Sequence, residues 1–135
     1  MNKLQSLIES GFIDKEDGTI LDTRTNLLWQ QSPPNKLFTW QDANKHCKSL
    51  TLAGYDDWRL PTKEELEHLI NRKYYPTMDT IFDCEPDWYW SSSTDVDFLS
   101  GVWLIHFGDS FMFLDSKGNS DNFVRAVCSV KEQCV

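Results

Sequence analysis

Four cysteines, three histidines, a run of serines and several acidic turns could do chemistry in this chain, and their spacing decides which. Cys47, Cys84, Cys128 and Cys134 contain no Cys-x-x-Cys pair, so neither a zinc knuckle nor a thioredoxin-type redox motif is built in. Pairing Cys47 with Cys128 would tie the first helix to the final strand, and Cys84 with Cys134 would complete the set. The competing reading is four free thiols. His46 and His68 read as helix-surface residues. His106 alternates with Val102 and Leu104 on a strand. No His-Glu-x-x-His or Gly-x-Ser-x-Gly run exists, and Ser91, Ser92 and Ser93 lack a placed His–Asp partner, so nucleophilic catalysis has no support beyond residue type. Asp14, Glu16 and Asp17 fit no EF-hand spacing and read as turn chemistry.

The remaining chemistry is recognition. Loops 94–100 and 108–121 set Asp95, Asp97, Phe98, Asp109, Phe111, Asp115, Asn119 and Asp121 between well-defined strands, and binding residues concentrate on loops held by a rigid scaffold. Phe98 and Phe111 are the expected apolar anchors, with His106 on the strand between them. The competing reading is solvated turns.

These residues need a scaffold, and the run Trp58-Arg59-Leu60-Pro61-Thr62-Lys63-Glu64-Glu65-Leu66 supplies its clearest landmark. Thr62 followed three residues later by Glu65 is a capping box, which predicts a helix over 63–73 with Leu66, Leu69 and Ile70 facing inward. An earlier helix is predicted over 39–50, capped by Thr39, with Trp40, Ala43, Cys47 and Leu50 on one stripe. Ahead of it, Asp17-Gly18 between β-prone runs predicts a hairpin, and Leu27 to Gln30 a third strand. After Pro76 come strands over 89–93, 102–107 and 111–115, the last two joined by Gly108-Asp109-Ser110. A closing strand over 123–130 is expected to return beside the first. Segregated helices and strands predict an α+β fold with two helices packed on antiparallel sheets. Residues 1–11 read as an arm with Leu4, Leu7 and Ile8 at helical spacing, suited to docking on a second subunit. Residues 12–130 form the domain and 131–135 a tail.

The 135 residues carry 21 acidic and 13 basic side chains, for a formal charge of -8. That balance argues against nucleic acid and anionic membranes as partners. No apolar run approaches the roughly 18 residues of a membrane span, and residues 1–10 show no secretory signal pattern.

Several stretches carry a family resemblance. They are Asp17-Gly18-Thr19 to Trp29, Ala43 to Cys47, Leu52 to Thr62 with Glu65-Leu66, Tyr89 to Ser93, Val102-Trp103 with Phe107, and Phe123 to Val127. Together, over about residues 12–130, the chain resembles the bacterial domain family named after the C-terminal part of the Lcl collagen-like adhesin. That family in turn resembles the sulfatase-modifying, formylglycine-generating proteins, within a group of C-type-lectin-like fold. The resemblance implies a C-type-lectin-like architecture, a recognition face in the late half of the chain, and a place outside the cell or on its surface. It also brings Glu85-Pro86-Asp87 into view, since C-type lectins hold calcium and a sugar with such a tripeptide. Asp121-Asn122 would be its acidic-amide partner, and a plain turn is the competing reading. The sulfatase-modifying enzymes use a close cysteine pair, which Cys128 and Cys134 do not match. Trp58, Arg59, Trp90, Trp103 and Arg125 carry the resemblance and are read as core tryptophans and bridging arginines, with a groove at Trp58 and Arg59 as the alternative.

The sequence therefore predicts a non-catalytic, adhesion-type module for a protein or carbohydrate ligand, without a cofactor unless calcium takes part. The rival readings are a sulfatase-modifying-like oxidoreductase and a structural subunit of a phage or secretion assembly.

Overall fold

Turn chemistry sets the first sheet. The computed structural model describes residues 11–98, 100–118 and 120–130. Most of the expected arm, the tail, Asn119 and Cys134 lie outside the described residues. The elements follow in the order β1 (Phe12–Asp14), β2 (Thr19–Asp22), β3 (Leu27–Gln30), α1 (Trp40–Ser49), α2 (Lys63–Glu67), β4 (Trp88–Thr94), β5 (Gly101–His106), β6 (Met112–Ser116) and β7 (Val127–Ser129). Gly18, at φ 89°, takes the left-handed position that closes the β1–β2 hairpin. Asp14 and Asp17 accept backbone N–H bonds two residues ahead, from Glu16 and Thr19, which is turn chemistry.

The fold is α+β, with two helices and two antiparallel sheets ordered β1-β2-β3-β7 and β4-β5-β6. The final strand differs from expectation in two ways. It covers only Val127–Ser129, and it returns beside β3 rather than β1. All four residues of β3 are buried, so β3 takes a neighbour on each edge. Residues before β7 are held elsewhere: Asn122 bridges Phe38, and Phe123 runs parallel to Tyr89.

Both helices start where their caps predict. Thr39 accepts from the Asp42 N–H, and Thr62 and Glu65 form the reciprocal capping box. α2 stops at Glu67, well short of residue 73. Leu69 and Ile70 donate to the carbonyls three residues back, and the Asn71 N–H turns to the Thr77 carbonyl (2.8 Å). The ladder ends there, yet Leu66 and Leu69 remain buried, so the apolar stripe survives the loss of helix.

Strand alternation divides the core in two. Tyr89 and Ile105 face Leu66, Leu69 and Trp29 in one cluster. Trp90 and Leu104 face Phe38, Ala43, Cys47, Trp58 and Cys128 in the other. Two buried indoles find carbonyl partners, Trp90 Nε1 donating to Phe38 O (2.6 Å) and Trp58 Nε1 to Leu52 O and Tyr55 O, while Trp29 Nε1 is buried without one. Trp58 is thus core and forms no groove wall with Arg59. Arg59 instead donates a two-pronged bond to Glu65 (2.8 Å on each prong), fixing the entry loop onto α2.

Arg125 is fully buried. Nη1 donates to Gln30 O (2.6 Å) and Gln31 O (2.7 Å), and Nη2 to Asp83 O (2.6 Å), while the guanidinium lies over the rings of Phe82 and Tyr89. Its neighbour Ala126 donates to the Gln30 side chain rather than its carbonyl (3.1 Å). The freed carbonyl of Gln30 is what Arg125 takes. Both arginines therefore act as bridges, one to a carboxylate and one to loop carbonyls.

Candidate functional site

The β5–β6 hairpin carries the most unusual surface among the described residues. His106 donates its backbone N–H to Phe111 O (2.9 Å), and Lys117 donates to Ser100 O (2.8 Å). With Leu104 opposite Phe113 and Val102 opposite Asp115, these bonds fix the ladder. Phe113 and Asp115 point their backbone groups toward β5, and Met112 and Leu114 point theirs outward. β6 is the edge of its sheet.

Along that edge Phe111, Met112 and Phe113 are 66%, 44% and 52% exposed. Phe113 lies 6.0 Å from Trp88, and Trp88 meets the His106 ring edge-on at 4.9 Å. Cross-strand register explains the cluster, because Trp88 is paired with His106 on the face that Phe113 shares. The turn beyond is built around the imidazole. His106 Nδ1 accepts from the N–H groups of Gly108 (3.0 Å) and Asp109 (3.3 Å). A Cβ at Gly108 would stand 2.7 Å from His106 Cε1, so only glycine lets the ring lie this close. Asp109 Oδ1 stands 3.2 Å from the same nitrogen and also accepts from the Phe111 N–H.

The expected loop face is divided. Gly101 stands opposite Ser116 and Ile105 opposite Met112, so loop 94–100 and turn 108–111 lie at opposite ends of the hairpin. His106, Asp109 and Phe111 are brought together. Asp95, Asp97 and Phe98 stand at the far end, where the Phe98 ring lies over Gly101. Asp95 Oδ1 is taken up by the N–H groups of Asp97 and Phe98. Asp115 accepts from the Ser116 N–H and the Ser120 hydroxyl, and Asn119 lies outside the described residues. Trp88, Met112 and Phe113 were missed. The signal for Met112 and Phe113 is the unbroken run Phe111 to Leu114: an edge strand with one face on a core buries alternate residues, so a continuous apolar run leaves some in water.

The calcium set does not assemble. Glu85 and Asp87 are exposed before β4, Asp121 is exposed, and Asn122 is buried and donates to Ser120 Oγ. No group of three or more His, Cys, Asp or Glu side chains among the described residues could hold a metal ion.

Cys47, Cys84 and Cys128 are free thiols, so the expected Cys47–Cys128 bridge is not formed. Both sulfurs pack in the second core cluster as small apolar groups, and burial pushes each thiol up to about 12. Cys84 is half-buried, 3.7 Å from the Tyr89 hydroxyl. It lines an open hollow of about 380 Å³ with Tyr75, Pro76 and Phe82. Burial raises its pKa, against the pull of Arg125, so it sits there as a neutral thiol.

No helix among the described residues is long and apolar enough to cross a membrane. No curated protein matches the chain. Residues 18–128 match the family described as the Lcl C-terminal domain. That span takes in β2 to β6, both helices, the aromatic edge and all but the last residue of β7, and the chain belongs to the Lcl C-terminal domain family.

Proposed function

We propose that this domain is a non-catalytic, adhesion-type recognition module of C-type-lectin-like architecture, binding a protein or carbohydrate ligand through the aromatic edge of β6. One observation carries the reading: Phe111, Met112 and Phe113 are consecutive, apolar and exposed on a sheet edge. Such a run is a liability that folded proteins normally blunt, and its retention is accounted for by a partner. Trp88 and His106 extend it into a ring-lined surface suited to a sugar face or an apolar side chain.

The groups that could have carried bond-making are spent on structure. Ser91 Oγ donates to Trp103 O, and Ser93 Oγ accepts the Lys63 N–H. The two thiols in the second core cluster are buried and held far from ionisation. The reading asks for no metal.

Glycan and peptide arrays, probed in calcium and in chelator, test it. The intact chain is expected to bind equally in both media, and Phe111→Ala with Phe113→Ala to weaken binding at least about tenfold, the cost of a hot-spot ring. Unchanged binding by the double variant would reject this surface.

A further inference from the structure

The outer side of β6 offers backbone as well as rings. Because Phe113 and Asp115 bond inward, the N–H and C=O groups of Met112 and Leu114 face away from the sheet, and no fourth strand among the described residues covers them. Further along, the outward Ser116 N–H is already taken by the Asp115 carboxylate (2.8 Å). The open stretch therefore runs from Phe111 to Leu114, long enough for one short strand.

Its surroundings select the occupant. Asp109 closes the turn at one end and Asp115 stands on the strand beyond Phe113 at the other, with no Lys or Arg between them in the sequence. The chain carries a net charge of -8, which repels a second copy and attracts a cation-bearing partner.

We propose that this edge takes up an extended, basic peptide segment of another protein as an added antiparallel or parallel strand. The idea rests on the recognition reading above and narrows it. Main-chain bonds to Met112 and Leu114 hold the segment and its apolar side chains lie on Phe111 and Phe113, while the Lys or Arg residues between them turn to the opposite face and are drawn in by the acidic field of the whole chain.

The test uses the full chain, isotope-labelled, and a decapeptide alternating valine and lysine. Amide exchange at Met112 and Leu114 is expected to slow at least about tenfold, while the inward amides of Phe113 and Asp115 change little. The same peptide N-methylated at every residue, or with glutamate in place of lysine, is expected to lose the effect. Raising salt from about 0.05 to about 0.5 M is expected to weaken it. Met112→Pro removes an outward donor that β5 does not use, so the ladder stands while docking is lost. If that variant fails to fold, the N-methylated peptide on the unaltered chain still decides. No slowing at Met112 and Leu114, or equal slowing by the N-methylated peptide, overturns the proposal. Concentration-dependent protection without peptide overturns it in favour of a second copy. Glycan binding at Trp88 and Phe113 without strand protection overturns it and leaves the recognition reading standing. A surface that binds neither probe overturns both.

Discussion

Arg125→Met is the most informative single change to the scaffold. The guanidinium is fully buried with three backbone carbonyls and no carboxylate around it. Methionine fills similar space but donates nothing. Gln31 O keeps the Asp83 N–H (3.1 Å), so two carbonyls, those of Gln30 and Asp83, lose the bond that Arg125 supplies. Each buried, unmade bond costs about 1–3 kcal/mol. Losing the cation over Phe82 and Tyr89 adds about 1 kcal/mol. Removing a poorly solvated charge works the other way, and burial already pulls this arginine below its ordinary pKa. Backbone carbonyls cannot be mutated away with their donor, so loss wins, and a net fall of about 3 kcal/mol is expected, a large share of the roughly 5–15 kcal/mol available to a domain. Urea unfolding followed by tryptophan fluorescence measures it. A variant within about 1 kcal/mol of the parent, at unchanged slope, would refute the view that this guanidinium ties Gln30, Gln31 and Asp83 together.

Three further outcomes are expected. Burial pushes Glu65 up, but bonds from Arg59 and the Thr62 N–H outweigh it and hold its carboxyl below the usual range. Its stabilisation is therefore present above the unfolded-state pKa and is lost as pH falls through the lower folded value. Glu65→Gln should flatten the drop in melting temperature below about pH 4, and a slope as steep as the parent's would contradict this. Cys47 and Cys128, pushed up to about 12 by burial, should resist a thiol reagent at neutral pH until denaturant is added; rapid labelling of both in the folded chain would show the second core cluster to be open. Phe111→Ser and Phe113→Ser should shift unfolding free energy by no more than about 0.5 kcal/mol, as for surface positions. A fall above about 1.5 kcal/mol would make these rings core.

What was legible in the sequence was local. The capping box at Thr62 and Glu65, the Asp-Gly hairpin and the Thr39 cap each depend on residues within a few positions of one another, and each is in place. The length of α2 was not legible, because it is ended by Thr77, ten positions beyond Glu67. Nor was the partner of β7. That depends on β3 being buried along its whole length, which the run Leu27-Leu28-Trp29-Gln30 states only weakly. Arg125 illustrates the intermediate case: its residue type announced a bridge, but its partners lie 42 to 95 positions away.

The candidate site follows the same rule with one instructive failure. Asp95, Asp97, Asp109 and Asp115 suggested one acidic loop face because they cluster in sequence and flank strands. Antiparallel pairing sends neighbouring loops to opposite ends of a hairpin, and the Gly101–Ser116 and Ile105–Met112 pairs do that here. The acids then satisfy nearby N–H groups instead of a ligand, as short acidic side chains in turns do. What remains to meet a partner is the strand itself. Of its apolar run the sequence singled out only Phe111 as an anchor, since a hydrophobic segment does not declare which of its residues face water. Only its position at the sheet edge, with Met112 and Leu114 turned outward, converts that run from packing into display.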